Sequence, residues 1–448
     1  MTLAVRSRRV LLPDGIRAAS VVVRDGRIEA IVGPDAGAAG GRTLDAGDLL
    51  VMPGIVDTHV HVNEPGRTAW EGFAHATRAA AAGGVTTIVD MPLNSVPATT
   101  TLAGMAAKLE AAAGQCHVDV GFWGGVVPGN AGEIEPLARR GVRGFKCFLS
   151  PSGVDEFEHI GEEDLRAALP ILARIGLPLL VHAELPSRLL APDAARDPRA
   201  YATWLASRPP GAEHAAIDLL IQLAREYGAR IHIVHLASAE ALPPLRAARA
   251  EGVPISVETC PHYLSFAAEE VSDGATAFKC APPVRERRHR EGLWRALIDK
   301  EIDLVATDHS PAPPALKHLD DGDFMAAWGG IASLQLGLAA VWTGAAVRGI
   351  AIEQVSRWMS RAPAAVAGLS SRKGAIAPGL DADLVFFDPD AEWRVDPAAL
   401  QHRHPVTPYA GMTLRGQVRL TLLRGEVVFD RGVFPSHALG QTLTGGRQ

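Results

Sequence analysis

Asp57-Thr58-His59-Val60-His61 closes a short apolar run, and alternate residues of an extended strand point to the same side. His59 and His61 can therefore grip one ion together. Four more residues able to bind a metal, Lys146, His182, His235 and Asp308, fall at or just beyond the carboxyl ends of other predicted strands. Four imidazoles, one carboxylate and one lysine suit borderline divalent ions, zinc before manganese, cobalt or iron. Lysine is the odd member. Beside two dications its ammonium would be repelled, so it must be neutral, and a neutral amine can add carbon dioxide to become an anionic carbamate with two donor oxygens. Two divalent ions held by that carbamate, Asp308 and a bridging hydroxide would keep a net positive charge, suited to stabilising an oxyanion.

Such a constellation needs elements that end on one face. Short buried strands are expected at 55–60, 86–91, 118–123, 144–148, 178–182, 230–235, 255–258 and 304–307, separated by Ala-rich helical stretches such as 102–113, 162–175, 214–227 and 239–250. Eight alternations of this kind predict an α/β fold, a (β/α)8 TIM barrel whose site forms at the carboxyl ends of the strands. The two chain ends read differently. Residues 20–23 and 28–32 flank the turn signal Asp25-Gly26, and residues 418–423 and 426–429 flank Arg424-Gly425, after an apolar run at 384–387. The expected organisation is a small composite β-sandwich from 1–52 and 374–448 around a barrel at 53–373.

Bulk properties exclude several classes. The 448 residues are 47% hydrophobic and 21% charged, an ordinary globular composition. The formal charge of -6 is spread without a long run of one sign, so no nucleic-acid or lipid partner is indicated. Arg174 and two prolines interrupt the apolar stretch 169–181, and Arg6, Arg8 and Arg9 punctuate the start. Neither a membrane span nor a signal peptide is expected, and the cytoplasm is the expected location. Cys116, Cys147, Cys260 and Cys280 show no CxxC spacing and read as small buried residues.

The motifs HVH, GFKCFL, LLVHAE, IVHLAS and ATDHSP occur in order and resemble the ligand motifs of the cyclic amidohydrolases, with ETCPHYL and APPVR matching further segments. That resemblance implies a dinuclear site in which His59, His61, Lys146 and Asp308 hold one metal, and N6-carboxylated Lys146, His182 and His235 hold the other. It also makes Asp308 the proton shuttle and the assembly a homo-oligomer, commonly a tetramer. The longer strings HVNEPGRTAWEGF, DMPLNS, LSPSGVDEF and DFMAAWGGIASLQ look like the allantoinase branch. Asn63 stands where dihydroorotases typically carry a carboxylate-binding arginine, and no tyrosine follows the lysine segment as in the hydantoinase and dihydropyrimidinase branch. The expected reaction is therefore hydrolytic opening of the hydantoin ring of allantoin to allantoate, a step of purine catabolism, with Asn63 and Asn94 as substrate contacts. Hydantoinase, dihydropyrimidinase and dihydroorotase are the alternative enzymes. A noncatalytic scaffold, a remoter alternative, predicts ligand loss, and all six ligand positions are present.

Overall fold

Both ends of the chain are β-rich and pair with each other in the computed structural model, which describes residues 2–36, 41–191, 193 and 195–444. The amino-terminal strands are β1 (Thr2–Leu12), β2 (Gly15–Arg24), β3 (Arg27–Val32), β4 (Arg42–Asp45) and β5 (Leu50–Pro53). Asp25 and Gly26 both have positive φ, 49° and 81°, the backbone that lets a two-residue turn follow the right-handed twist of β2 and β3.

The central strands are β6 (Ile55–Val60), β7 (Val85–Asp90), β8 (Asp119–Phe122), β9 (Gly124–Gly125), β10 (Phe145–Phe148), β11 (Leu179–His182), β12 (Ile231–Ile233), β13 (Ile255–Thr259) and β14 (Leu304–Val305). The chain ends with β15 (Leu384–Arg394), β16 (Thr413–Leu423) and β17 (Glu426–Asp430). One sheet has the order β17-β16-β15-β5-β1-β2-β3, with β4 beside β1, so it draws on both termini. The central strands form two parallel sheets, β6-β7-β8 and β14-β13-β12-β11-β10-β9.

Backbone bonds join the two parallel sheets at both edges. Arg143 N donates to Phe122 O, and His61 N donates to His309 O at 2.8 Å beside a parallel bridge from Val60 to His309. Residues of β6 and β7 are buried throughout because helices cover the sheet, and helix Phe73–Ala82 lays a row of buried alanines against it. The expected strand at 304–307 shortens to Leu304–Val305. Thr307 leaves the ladder because its N–H and hydroxyl both donate to the Asp57 carboxylate, at 3.2 and 2.6 Å. The helix expected at 214–227 begins earlier, at Pro210, whose fixed φ suits a first turn.

A buried charge cluster ties the carboxyl-terminal strands to β8. Lys373 Nζ donates to Asp119 and Asp383 at 2.7 and 2.6 Å and pairs with Asp381 at 3.0 Å, and Arg424 also binds Asp119. Without that ammonium Asp119 keeps Arg424 and Asp381 keeps Arg372, but among the described residues buried Asp383 is left with no ion-pair partner. Lys373→Met is expected to cost about 3–5 kcal/mol of stability, the range for breaking a buried ion pair from one side. Denaturant unfolding checks this; a midpoint equal to that of the unmutated chain would remove the cluster's structural role.

Candidate active site

The six sequence-derived ligand positions converge. His59 is the penultimate residue of β6 and His61 follows the strand; Lys146 lies in β10; His182 ends β11; His235 and Asp308 follow β12 and β14. All six are buried, and His59, His61, His182, His235 and Asp308 line one cavity of about 270 Å³. His59, His61 and Asp308 place one ligand atom each within 4.8 Å of one another. His59 Nε2 is 3.1 Å and His61 Nε2 is 3.5 Å from Asp308 Oδ1, and His182 Nδ1 is 3.0 Å from His235 Nε2.

Each of three imidazoles offers one nitrogen to this centre and anchors the other. Glu258 Oε1 accepts from His59 Nδ1 at 2.5 Å, Glu184 Oε2 accepts from His182 Nε2 at 2.8 Å, and the Asn94 amide donates to His61 Nδ1 at 3.5 Å. This is the arrangement that fixes ring orientation in metal-binding histidines. Glu184 is itself held by Arg208, and Glu258 also accepts from His232 Nε2 at 3.0 Å. Burial pushes the imidazoles of His61, His182 and His235 below their ordinary value, toward the neutral form that ligates a metal.

Lys146 is the sharpest test of fit. Its Nζ is fully buried with no hydrogen-bond partner among the described residues, above the Phe148 ring at 4.4 Å. An ammonium so placed would carry an uncompensated desolvation cost. Burial pushes it down to about 8, so the neutral amine is accessible near neutral pH. Burial raises the Asp308 carboxyl, but His59, His61 and His235 outweigh it and hold the group well below the usual carboxylate range. Asp308 and His235 also adopt positive φ, 46° and 41°, an unfavourable backbone for such side chains that surrounding contacts must hold. A set of inward imidazoles, an ionised carboxylate and a partnerless amine fits divalent metal ions.

The two asparagines separate. Asn94 lies on the cavity wall, where it supports His61. Asn63 does not line the cavity; with φ at 65°, its amide donates to Pro311 O at 3.2 Å. Ser310 donates to Asp308 Oδ1 at 3.0 Å. His309 turns away, accepting from Ser333 N at 3.1 Å. Ser152 bonds its own loop, through Val154 O and Phe157 O. The supports Glu184, Glu258 and Arg208 were not singled out as site residues. Glu184 stands two residues after His182, and Glu258 ends a predicted strand as the ligands do.

Comparison with known proteins places this geometry. Residues 50–428 match the model of the amidohydrolase family. The chain is 53% identical over 433 residues to an allantoinase of Streptomyces avermitilis, covering 96% of each chain. It is 47% identical over 406 residues to an allantoinase of Saccharomyces cerevisiae, covering 89% of this chain and 87% of that protein. The solved L-hydantoinase (dihydropyrimidinase) of Arthrobacter aurescens superposes with a TM-score of 0.92 at 32% identity, over 99% of both chains.

Proposed function

The chain belongs to the amidohydrolase family, and from that premise we infer that it is an allantoinase, opening the hydantoin ring of allantoin to allantoate by hydrolysis. The observation that carries the reading is the buried cluster of His59, His61, His182, His235 and Asp308 at one cavity, in a chain about half identical to allantoinases. The nine central strands, bridged at both edges, read as a (β/α)8 barrel at 53–373, with 1–52 and 374–448 as the two parts of a β-sandwich. Resemblance to the family also carries a cytoplasmic homotetramer. Among the described residues no helix is long and apolar enough to cross a membrane.

In this reading His59, His61, Lys146 and Asp308 hold one divalent ion and Lys146, His182 and His235 the other, with zinc the first choice. The ions supply polarisation of the ring carbonyl and an ionised water at neutral pH. Lys146 joins the site as N6-carboxylysine: its neutral amine attacks carbon dioxide and loses one proton to water, which leaves an anionic carbamate. Asp308, ionised and in reach of the cavity, takes the proton from the attacking oxygen. It then returns that proton to the ring nitrogen as the amide C–N bond breaks. His59 and His182, fixed through Glu258 and Glu184, keep the cluster in register.

The cavity also suits an uncharged substrate. Arg208, on its wall, is engaged by Glu184 through Nε at 3.1 Å and Nη2 at 2.5 Å, so its charge is already matched. Asn94 offers an amide where a ureido arm needs paired donors and acceptors. Asn63 acts one layer back, through Pro311. A site that pairs polar groups of the substrate penalises an analogue lacking them by more than size alone. The metal-loaded enzyme is expected to show a kcat/KM for allantoin at least about tenfold above that for hydantoin, and poor turnover of dihydroorotate. Side-by-side kinetics decide it: a ratio near or below one assigns the chain to the hydantoinase branch.

A further inference from the structure

The string DFMAAWGGIASLQ has no part in the metal cluster, yet its residues Ala326 to Gly330 form a continuous stretch of the cavity wall. The carbonyls of this stretch and of Met325 before it are gripped by two lysines, of which Lys279 also lines the cavity. Lys279 Nζ donates to Met325 O at 3.1 Å and to Ala327 O at 2.5 Å. Lys317 Nζ donates to Trp328 O at 3.1 Å and to Gly330 O. Each Nζ thus bridges two carbonyls that are two residues apart.

Both lysines are buried, and among the described residues neither forms an ion pair with a carboxylate. Burying two ammonium groups without counter-charges is costly, and burial lowers Lys279 to about 8 and Lys317 to about 7. Plain packing of the wall would need only apolar side chains. What a lysine adds is several directed donors on one point, able to hold successive carbonyls in a single arrangement.

The clamp also joins elements that face the substrate. Lys279 Nζ sits 4.3 Å from the Trp204 ring centre, and its backbone carbonyl accepts from Gly330 N at 2.8 Å. Lys317 ends the short turn Pro314–Lys317 that follows Asp308, and Leu316 O accepts from Trp328 N. Gly330 lies so close to Ser310 that a Cβ there would stand 2.4 Å from Ser310 O. Trp328 packs edge-on to Trp70 at 4.9 Å, and Ser310 bonds Asp308. Displacing the wall would therefore change the space beside Asp308.

We propose that Lys279 and Lys317 are positioning residues that act together as a two-lysine clamp, setting the 326–330 wall and so which ring substituent the cavity accepts. The proposal rests on the cyclic-amide reading of the cavity but not on allantoin being the substrate. Lys317 does not line the cavity and acts through the wall alone, whereas Lys279 lines the cavity as well as holding the wall.

Lys279→Met and Lys317→Met remove the donors at similar volume. In variants with unchanged bound metal, KM for allantoin is expected to rise by about tenfold or more, since a displacement on the order of 1 Å can cost a hundredfold. The kcat should fall less, and the allantoin-to-hydantoin ratio of kcat/KM should drop. A merely structural loss lowers the active fraction for both substrates alike and leaves KM and the ratio in place; that outcome overturns the clamp. Should the methionine variants fail to fold, Lys279→Gln and Lys317→Gln decide, because the shorter amide cannot span both carbonyls: unchanged KM and ratio in them overturn it equally. If the unmutated enzyme opens hydantoin or dihydrouracil but not allantoin, the substrate reading fails, and KM for the ring it does open tests the clamp.

Discussion

Lys146→Ala is expected to lose bound metal and ring opening together. Its Nζ is buried without a hydrogen-bond partner among the described residues, on a strand beside the one that ends in His182. In the proposed site its carbamate would help to hold both ions, so its removal would take a ligand from each. Losing even a group that supports a ligand costs on the order of 10–100-fold in affinity or activity, and loss of a bridging ligand should exceed about a hundredfold. Elemental analysis alongside turnover of allantoin measures both effects. A short carboxylic acid can enter the space the side chain leaves and replace the carbamate oxygens, so partial rescue by acetate or propionate is the expected companion result. An alanine variant that is fully active without rescue would sink the bridging role.

Asp308→Asn should separate chemistry from architecture. The substitution is nearly isosteric, and asparagine tolerates the left-handed backbone that Asp308 adopts at φ 46°, so the fold should survive. What is lost is the ionised oxygen that accepts and returns the proton, which should lower kcat by on the order of a hundredfold or more. Burial opposes the carboxylate, but His59, His61 and His235 prevail, so the group is ionised through the neutral range. Stability and activity that depend on that ionised form are present above its depressed value and lost as pH falls through it. With ions bound, the acid limb of the rate profile would report Asp308 and the water those ions ionise as one coupled system, not as two separate titrations. Unchanged turnover in a metal-replete asparagine variant would refute the proton-transfer role.

The convergence of the six ligand positions was legible in the sequence because strand geometry carries it. Alternate residues of an extended segment share a side, and strands joined by helical crossovers run parallel, so residues at their carboxyl ends must gather on one face. The hairpins at Asp25-Gly26 and Arg424-Gly425 were legible for an equally local reason, since two-residue turns with positive φ connect adjacent strands. The union of these two ends in one sheet was an expectation from the likeness of their β-rich text, and the register that joins them, Leu384 opposite Pro53, exists only in the folded chain.

Only tertiary structure decided how the ligands are held. Glu258 orients His59 across 199 positions of sequence, and Asp57 draws Thr307 out of its strand across 250. No periodicity records such pairs, because a side-chain hydrogen bond depends on where two distant backbones happen to lie. Asn63 shows the same limit from the other direction. Its nearness to His61 in sequence suggested the cavity, but its positive φ carries the amide to Pro311 instead. The wall clamped by Lys279 and Lys317 follows this rule as well: each lysine reaches carbonyls more than ten residues away, and no local pattern in either segment announces the contact. Sequence spacing determined which groups could meet at the site because strand geometry is local; folding alone decided which atoms they met, because those contacts are not.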